Sequence, residues 1–386
     1  MPLVSADSAT MKCLVAFLLL ATAVTLSSCG GSPSSSSPQS PIVPAVQSQP
    51  IAPVPAPAPV APVDVALPAD FFGMHIQCVV ASCSTGTVPY PTSLKFATVR
   101  LWDSAYWSLI EPGRGVYNWT ELDSLTGIAS ANGVTSFVFS FGNPPEWSLN
   151  PDGSVNQQDA DDFLTVFVRR ECGTIQYYET WNEANLPSAW SGTQAQLVTL
   201  AQHFYTIVKA NCPSAKVLTP SVNNITYADS RQWLINWLNQ GVPYDIVAFH
   251  GYTDQPEAVQ QDMQWLRSVV GLKVEVWDTE GSWGHEGSLT EAQEANWLMR
   301  TYIMQAASGV SRFYWYAYGS TTWGRLYDRQ AATAYPTVSG WLAGATMNGC
   351  SSDVAQNWTC TITRSDSTRA TITWNAAQPD STPILR

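Results

Sequence analysis

The chain has 386 residues, of which 12% are charged, and its formal net charge is -12 at pH 7. This acidic balance argues against nucleic acid as a partner, because phosphates require a basic surface, and against docking on anionic lipid through charge alone. Seventeen tryptophans are a large number for this length. Their flat apolar faces suit either a tryptophan-rich core or the stacking of sugar rings, and composition does not separate the two uses.

The first thirty residues have the features of an export signal. The basic residue Lys12 precedes the apolar run Leu14–Leu26, which is too short to span a bilayer. Small residues then lead to Cys29, as in the lipobox of bacterial lipoproteins, where the cysteine is acylated. We therefore predict a lipoprotein signal over residues 1–29 with lipidation at Cys29. The protein is then an outer-membrane or cell-surface lipoprotein; an ordinary secretory signal and a secreted protein are the alternative.

The segment 30–66 is rich first in serine and then in proline, alanine and valine. Proline without helical or strand periodicity favours an extended, semi-rigid spacer. We interpret this segment as a linker between a lipid anchor and a folded domain.

From residue 67 the chain alternates short apolar segments with amphipathic ones. The predicted strands, in chain order, are Phe71–Ile76, Ala97–Trp102, Thr135–Gly142, Ile175–Glu183, Lys216–Ser221, Asp245–Tyr252, Lys273–Glu280 and Arg312–Tyr318. The predicted helices between and after them are Asp161–Glu171, Gln194–Ala210, Arg231–Gln240, Pro256–Val270, Thr290–Ser308 and Ala331–Ala345.

This alternation predicts an α/β protein with a (β/α)8 barrel over residues 67–345. An open doubly wound sheet is the alternative, but the first predicted strand lacks the glycine-rich phosphate turn typical of that fold. The remaining residues, 346–386, contain two alternating segments, 358–363 and 369–374, that predict a β-hairpin. We expect it to form a small β appendage packed on the barrel, together with residues 63–70.

Six cysteines remain after the signal segment, and an exported domain permits disulfides. Six cysteines allow 15 connectivities, so the sequence does not fix one. The simplest set joins neighbours in the sequence: Cys78 with Cys83, Cys172 with Cys212, and Cys350 with Cys360. No Cys-x-x-Cys motif or Cys/His cluster is present, so we expect neither a metal nor a cofactor.

Two glutamates stand at the ends of predicted strands, where a barrel carries its active residues. Glu183 ends the fourth predicted strand and Glu280 the seventh. Side chains alternate along a strand, so Glu183 shares a side with Glu179 and Trp181, and Glu280 shares one with Asp278. Two carboxyl groups at one barrel mouth are the minimum set for glycoside hydrolysis, whereas an isolated glutamate there more often makes a salt bridge.

The ordered motifs that follow the strands resemble those of clan A retaining glycoside hydrolases, most of all glycoside hydrolase family 39 and its relatives. The residues that carry this resemblance are Val99-Arg100-Leu101-Trp102-Asp103, Glu111-Pro112, Tyr117-Asn118-Trp119, Gly142-Asn143-Pro144-Pro145-Glu146-Trp147, Trp181-Asn182-Glu183-Ala184-Asn185, His250-Gly251-Tyr252, Thr279-Glu280-Gly281 and Tyr314-Trp315-Tyr316.

The resemblance implies Glu183 as the acid/base and Glu280 as the nucleophile, with their carboxyl groups roughly 5 Å apart. It also implies that Asn182 binds the sugar 2-hydroxyl. Arg100 and Tyr252 are expected to hold the nucleophile and keep it ionised. Further roles follow for His250, which contacts sugar or a carboxylate, and for Trp315, which forms the floor of the subsite for the reacting sugar.

Other residues remain open between a functional and a structural role. His75, at the end of the first predicted strand, and Trp147, in a loop after the third, are candidate substrate-binding residues. For Arg100, a buried structural ion pair suits the sequence as well as the functional role does. For His250, capping of a strand end suits it as well as contact with sugar or a carboxylate does. Glu179 and Asp278 lie deeper along their strands, and we interpret them as buried partners of arginine or backbone groups.

The sequence therefore predicts an exported glycosidase that cleaves β-glycosidic bonds of an extracellular polysaccharide or oligosaccharide through a covalent glycosyl-enzyme. The alternative is a catalytically inactive carbohydrate-binding lipoprotein. A Schiff-base aldolase is disfavoured because Lys216 and Lys273 begin their strands, at the wrong end of a barrel. We expect a monomer that contacts its carbohydrate substrate, touches the membrane through the lipid anchor only, and binds no nucleic acid.

Overall fold

The computed structural model describes residues 64–81, 83 and 86–386. The predicted lipoprotein signal, Cys29 and nearly all of the predicted linker lie outside these residues. Within the described part of the chain, no helix is both long and apolar enough to cross a membrane.

Eight parallel strands, β2 to β9, close into a barrel, which confirms the predicted (β/α)8 fold. They are β2 (Phe72–His75), β3 (Thr98–Arg100), β4 (Ser136–Ser140), β5 (Tyr177–Glu179), β6 (Lys216–Leu218), β7 (Ile246–His250), β8 (Glu275–Gly281) and β9 (Arg312–Trp315). Every predicted strand overlaps one of these, and six of them end two to four residues earlier than predicted. The residues that follow the strand ends form the loops at the mouth of the barrel.

The strands are buried on both faces, as a parallel sheet covered by helices requires. Inside the barrel, strand side chains alone form a compact apolar cluster of Val138, Leu218, Ile246, Ala248, Trp277 and Tyr314, with Tyr177 against it. A larger cluster lies between the strands and the surrounding helices. The barrel interior is therefore a packed core below the active end, as in other barrels of this type.

Every predicted helix is present, with its ends at most four residues from the predicted ones, and two further helices between β3 and β4 were not predicted. The helices are α1 (Trp107–Ile110), α2 (Thr120–Ala131), α3 (Gln157–Glu171), α4 (Gln194–Asn211), α5 (Ala228–Leu238), α6 (Val259–Val270), α7 (Glu291–Ala307) and α8 (Ala331–Leu342). Capping boxes start α4 at Thr193 and α7 at Thr290, where each threonine and a glutamine three residues later exchange hydrogen bonds with the backbone. A short 3-10 helix, Pro256–Ala258, precedes α6.

A five-stranded antiparallel sheet completes the described fold, in the order β1-β10-β11-β12-β13. Its strands are β1 (Val65–Ala66), β10 (Thr346–Ser352), β11 (Asn357–Thr363), β12 (Arg369–Asn375) and β13 (Ile384–Leu385). The predicted hairpin is its central pair, but the unit is larger than a hairpin. Val65 and Ala66 pair with Met347 and Thr346, as expected for residues 63–70, so the predicted linker boundary at residue 66 is two residues too late.

The three disulfides join the cysteines that are neighbours in the sequence, as expected from the simplest of the 15 connectivities. Cys78 bonds to Cys83, Cys172 to Cys212, and Cys350 to Cys360. The last pair links two directly opposed residues of β10 and β11. It therefore fixes the register of β10 against β11.

Candidate active site

The path of the chain after β5 corrects the strand-alternation argument for Glu183. β5 ends at Glu179, and Glu183 lies four residues beyond it with a φ of +47°, in the left-handed region. Trp181 packs outside the barrel against Phe141 and Trp190, so Glu179, Trp181 and Glu183 do not share one side. A turn held by Ser221, whose Oγ accepts the Glu183 N–H at 3.1 Å, directs the glutamate to the barrel mouth.

Strand alternation also fails along β8, for a different reason. Trp277 lies in the inner cluster, while Asp278 points outward to Gln305 of α7. His250 pairs with Glu280 whereas Phe249 pairs with Asp278, so β8 carries an extra residue at this point. This β-bulge rotates the following residue, and Glu280 consequently faces the barrel mouth although Asp278 faces a helix.

The guanidinium of Arg100, at the end of β3, lies at the centre of the site and is 1% exposed. Its Nε donates to Glu179 at 2.6 Å and its Nη1 donates to Glu280 Oε1 at 2.6 Å. Its Nη2 donates to the side-chain oxygens of Ser140, at 3.1 Å, and Asn182, at 2.7 Å. Burial alone would lower the pKa of Arg100, but the charges of Glu179 and Glu280 outweigh it and raise that pKa. Arg100 therefore remains a cation in contact with Glu179 and Glu280.

Glu280 is held at both carboxylate oxygens. Besides the Arg100 contact, its Oε2 accepts a hydrogen bond from the Tyr252 hydroxyl at 3.1 Å. Burial, and then the charge of Glu280, raise the pKa of Tyr252 well above its usual value, so the phenol keeps its proton and donates it. A carboxylate fixed between a guanidinium and a phenol is suited to nucleophilic attack.

Glu183 faces Glu280 with far fewer partners. His250 Nδ1 lies 3.0 Å from Glu183 Oε1 and 3.5 Å from Glu280 Oε2. Oxygen atoms of the two glutamates and a nitrogen of His250 all lie within 4.8 Å of one another. This spacing fits the roughly 5 Å expected from the sequence for a retaining pair.

The environment of Glu183 determines its protonation in the free protein. Burial raises its pKa, but the hydrogen bond and charge of His250, together with the charge of Arg100, outweigh burial and hold the pKa below its usual value. The free site therefore carries an ionised Glu183. A role as an acid therefore requires Glu183 to take up a proton before it can give one to a leaving group.

Glu183, His250 and Glu280 have the donor types of a metal site and lie close enough to share an ion. The Arg100 guanidinium, however, is 2.6 Å from Glu280 Oε1 and supplies the positive charge that a cation would bring. A divalent ion here would be placed next to a buried, permanently charged arginine, which opposes binding.

One wall of the site consists of hydrogen-bonded polar residues, most of which were not predicted as site residues from the sequence. Asp103 contacts His75 Nδ1 at 3.0 Å, Gln77 at 2.7 Å and the Tyr316 hydroxyl at 3.0 Å. His75 is fully buried, and its Nε2 lies 2.9 Å from the Thr279 carbonyl. His75 therefore orients this wall from behind, while Gln77, Asp103 and Tyr316 retain exposed surface toward the mouth. Asp103 was visible in the Val99–Asp103 motif, but nothing marked Gln77.

Trp315 does not form the floor of a subsite, contrary to the expectation from the resemblance. Its side chain is 0% exposed, stacks on Tyr302 of α7, and donates from Nε1 to the Gly324 carbonyl at 2.7 Å. It therefore belongs to the layer between barrel and helices. The next residue, Tyr316, faces the site, where its ring lies edge-on to His75 at 4.9 Å. The prediction was one residue out because side chains alternate along the strand.

Trp147 and Trp323 differ in their relation to the two glutamates. Trp147 lines a separate pocket of about 560 Å³ with Ser108, Pro112, Pro145 and Glu146. Among the described residues, it has no contact with Glu183 or Glu280. The Trp323 ring lies 5.3 Å from that of Tyr252, whose hydroxyl holds Glu280. Trp323 is thus the tryptophan that the fold brings beside the reacting centre, and His285 packs against it at 4.0 Å.

The fold and this site are those of a glycosidase. Residues 115–338, more than half of the chain, match the family described as glycosyl hydrolase catalytic core, and the chain belongs to that family. It is accordingly an enzyme that acts on carbohydrate.

Solved structures agree on the fold. The chain is similar to a family 39 glycoside hydrolase from Bacteroides cellulosilyticus WH2, with 15% identity and a TM-score of 0.64, covering 80% of this chain and 71% of the other. It is similar to a family 39 β-xylosidase from Caulobacter crescentus, with 17% identity and a TM-score of 0.59, covering 80% and 79%. A glucosidase from Croceicoccus marinus gives 15% identity and a TM-score of 0.59, covering 78% and 76%.

Proposed function

We propose that the protein is a retaining glycoside hydrolase that cleaves β-glycosidic bonds of a polysaccharide or oligosaccharide through a covalent glycosyl-enzyme. The observation that carries the proposal is the opposed pair Glu183 and Glu280, whose oxygens lie within 4.8 Å. Inverting enzymes need a wider separation to place a water between the carboxyl groups.

The different surroundings of the two glutamates support different roles. Glu280 is fixed by Arg100 and Tyr252, so its carboxyl group is oriented to attack the anomeric carbon. Among the described residues, His250 is the one side-chain partner of Glu183. Glu183 is also more exposed, with 24% of its side chain accessible against 7% for Glu280. It is therefore placed to give a proton to the departing glycosidic oxygen and later to take one from water.

Each step then balances in charge and protons. In the first step a Glu280 oxygen bonds to the anomeric carbon while the bond to the leaving oxygen breaks, and that oxygen takes the proton of Glu183. In the second step water attacks the same carbon, gives a proton to Glu183 and releases Glu280. Asn182 Oδ1 accepts from Arg100, which turns its amide N–H groups, not hydrogen-bonded within the described residues, toward the sugar. They suit the 2-hydroxyl, as the resemblance implies.

The export and partner assignments belong to the same proposal. The three disulfides support an oxidising location, and the cysteine context at Cys29 supports a lipid anchor. We propose a monomer tethered to the outer membrane or cell surface, with a glycan as its substrate.

Product stereochemistry tests the central claim. Wild type and Glu280→Gln are incubated with β-linked xylo-, cello- and laminari-oligosaccharides, and the first product is observed by proton NMR before mutarotation. We expect the β-anomer from wild type and no product from the variant. An α-anomer as first product would rule out the retaining mechanism, and full activity of the variant would rule out Glu280 as nucleophile.

A further inference from the structure

A second pocket lies where the C-terminal sheet meets the loop that follows β7. Its volume is about 600 Å³, within the usual range for small-ligand sites. It is lined by Gln255, Glu257, Ala258, Ser352, Gln356, Trp358, Ala376, Ala377 and Pro379. None of these residues belongs to the catalytic arrangement described above.

The indole ring of Trp358 lines this pocket and stacks on a second, buried tryptophan. Trp358 of β11 and Trp374 of β12 are directly opposed across the sheet, with ring centroids 5.9 Å apart and planes 5° from parallel. Trp374 is 4% exposed and donates from Nε1 to Glu257 Oε1 at 2.7 Å. Arg300 holds the same carboxylate through two contacts of 2.7 Å. The lower indole is therefore immobilised, and the upper one rests on it.

The face of the Trp358 ring that points away from Trp374 lies beside strand β10. The residue opposite Trp358 on β10 is Ser352, which is small and exposed. Directly opposed residues of an antiparallel pair project on the same side of the sheet, so a small residue here leaves space next to the ring. The Trp358 indole N–H has no hydrogen-bond partner among the described residues, and the ring is only partly buried.

The polar groups around the ring define the kind of ligand. Gln255 and Gln356 are exposed, and their side-chain amides have no partner among the described residues. The one carboxylate, Glu257, is neutralised by Arg300, and no lysine or arginine lines the pocket in the described part of the chain. Amides and a hydroxyl beside an aromatic face suit a neutral molecule with many hydroxyl groups, not an anion or a cation.

The position of the pocket connects it with the active site. Gln255 follows Tyr252 by three residues, and Tyr252 contacts Glu280. Three residues span at most about 11 Å, so the pocket lies on the rim of the barrel face that carries the glutamates. A glycan held at this rim remains close to the reacting centre, which raises its effective concentration there.

We propose that this pocket is a second, non-catalytic binding site for a neutral glycan, in which a sugar ring stacks on the open face of Trp358 and the amides of Gln255 and Gln356 bind its hydroxyl groups. The inference rests on the proposed function only in taking the bound glycan to be the class of molecule that the enzyme hydrolyses.

The test uses the full chain with Glu280→Gln, so that sugars are bound but not cleaved. The indole N–H resonances of this ¹⁵N-tryptophan-labelled protein are followed during titration with xylohexaose, cellohexaose and laminarihexaose to millimolar concentration. Trp358→Phe identifies the Trp358 resonance. We expect it to move and saturate with at least one hexasaccharide. If no hexasaccharide moves it, the proposal is overturned.

Kinetics on a polymer provide the second measurement, in the active enzyme. For the matching polysaccharide, Trp358→Ala is expected to raise KM about tenfold, the effect of losing a stacking contact of about 1.4 kcal/mol. The kcat for a short aryl β-glycoside, which does not reach the pocket, remains that of wild type. Trp341→Ala, a partly buried tryptophan on α8 that lines no described pocket, is the matched control and leaves both values unchanged.

Gln255→Ala guards against a folding defect in Trp358→Ala, because Gln255 is an exposed loop residue on the opposite side of the pocket. It is expected to raise KM for the polymer severalfold; unchanged KM in both variants overturns the proposal. The two claims also fail separately. A Trp358 resonance that responds to sugar in a wild-type protein that hydrolyses no glycan would refute the proposed function alone. Hydrolysis without any response of Trp358 would refute this site alone.

Discussion

Glu183 and Glu280 face each other within 4.8 Å, but only Glu280 touches the buried Arg100. Arg100 in turn binds Glu179, so one guanidinium is shared between a deeper carboxylate and the proposed nucleophile. Glu183 is left with a titratable partner, His250. The two glutamates therefore differ in their contacts before any substrate arrives, and the following experiments examine that difference.

Azide separates the roles of the two glutamates. Glu280→Ala removes the attacking group, so nearly all activity is expected to vanish. Glu183→Ala still forms the glycosyl-enzyme from a substrate whose leaving group needs no protonation, and azide then attacks without a general base to give a β-glycosyl azide. The anomeric configuration of the azide product is read by NMR. A β-azide from Glu280→Ala and none from Glu183→Ala would reverse the assigned roles.

Removal of the His250 imidazole is expected to change the pH profile of catalysis. In the free enzyme, His250 and Arg100 outweigh burial and hold the pKa of Glu183 low. Loss of the protonated acid sets the basic limb of kcat/KM. His250→Phe removes the contact that contributes most to lowering the pKa of Glu183, so the basic limb moves to higher pH. The maximum rate falls because the surroundings of the two glutamates change. The profile of an aryl β-glycoside measures this. A limb that stays in place or moves to lower pH contradicts the role of His250.

Asp278→Asn is expected to stabilise the protein at neutral pH. Burial is the main cause that raises the pKa of Asp278 well above its usual value. A carboxyl with a raised folded pKa stabilises the fold most below its unfolded pKa, about 3.9, and loses that contribution as pH rises through the folded pKa. Asparagine keeps the oxygen that accepts the Gly251 N–H. Its NH2 replaces the oxygen that now accepts from Gln305 Nε2, so the Gln305 amide turns over and presents Oε1, which has no partner among the described residues, to the new N–H.

Denaturant unfolding of wild type and Asp278→Asn at pH 4 and pH 7 measures this effect. We expect the stability gain of the variant to be larger at pH 7. Thr279→Ser, a neighbouring change without a titratable group, serves as the control for the pH dependence. An equal difference at both pH values would show that Asp278 is not protonated in the folded protein.

The disulfides are expected to contribute according to the loops that they close. Cys172 and Cys212 are 40 residues apart, and Cys350 and Cys360 are 10 apart. In the chain-entropy view, replacing the first pair by serine costs about 4 kcal/mol of unfolding free energy and replacing the second about 3 kcal/mol. Chemical denaturation of the two double variants gives both values. A larger loss from the shorter loop would indicate that register in the C-terminal sheet outweighs loop entropy.

The anchor is tested at Cys29, outside the described residues. Cys29→Ala is expected to move the protein from the membrane fraction to the soluble fraction with the specific activity of the released enzyme unchanged. Fractionation followed by immunoblotting and an activity assay measures this. Unchanged membrane association would show that something other than Cys29 holds the protein there.

The sequence alone determined the class of fold and the pair of glutamates. Short apolar runs between amphipathic segments predicted all eight barrel strands, since a strand that is buried on both faces needs a nearly continuous apolar run. The order of motifs after those strands identified Arg100, Asn182, His250 and Tyr252, all of which lie around Glu183 and Glu280 in the structure. The three disulfides are the simplest of the 15 pairings that the sequence left open.

Only the tertiary structure decided which way the side chains at the strand ends point. A bulge between Asp278 and Glu280 and a left-handed turn at Glu183 break the simple alternation, and Trp315 points outward where Tyr316 points in. Bulges and turns depend on what the backbone meets across the sheet and in the next loop, which a run of residue types does not encode. The same reason separates the site wall of Gln77 and Asp103 from what periodicity reveals. The partners of these residues are distant in the chain and meet only when the barrel closes.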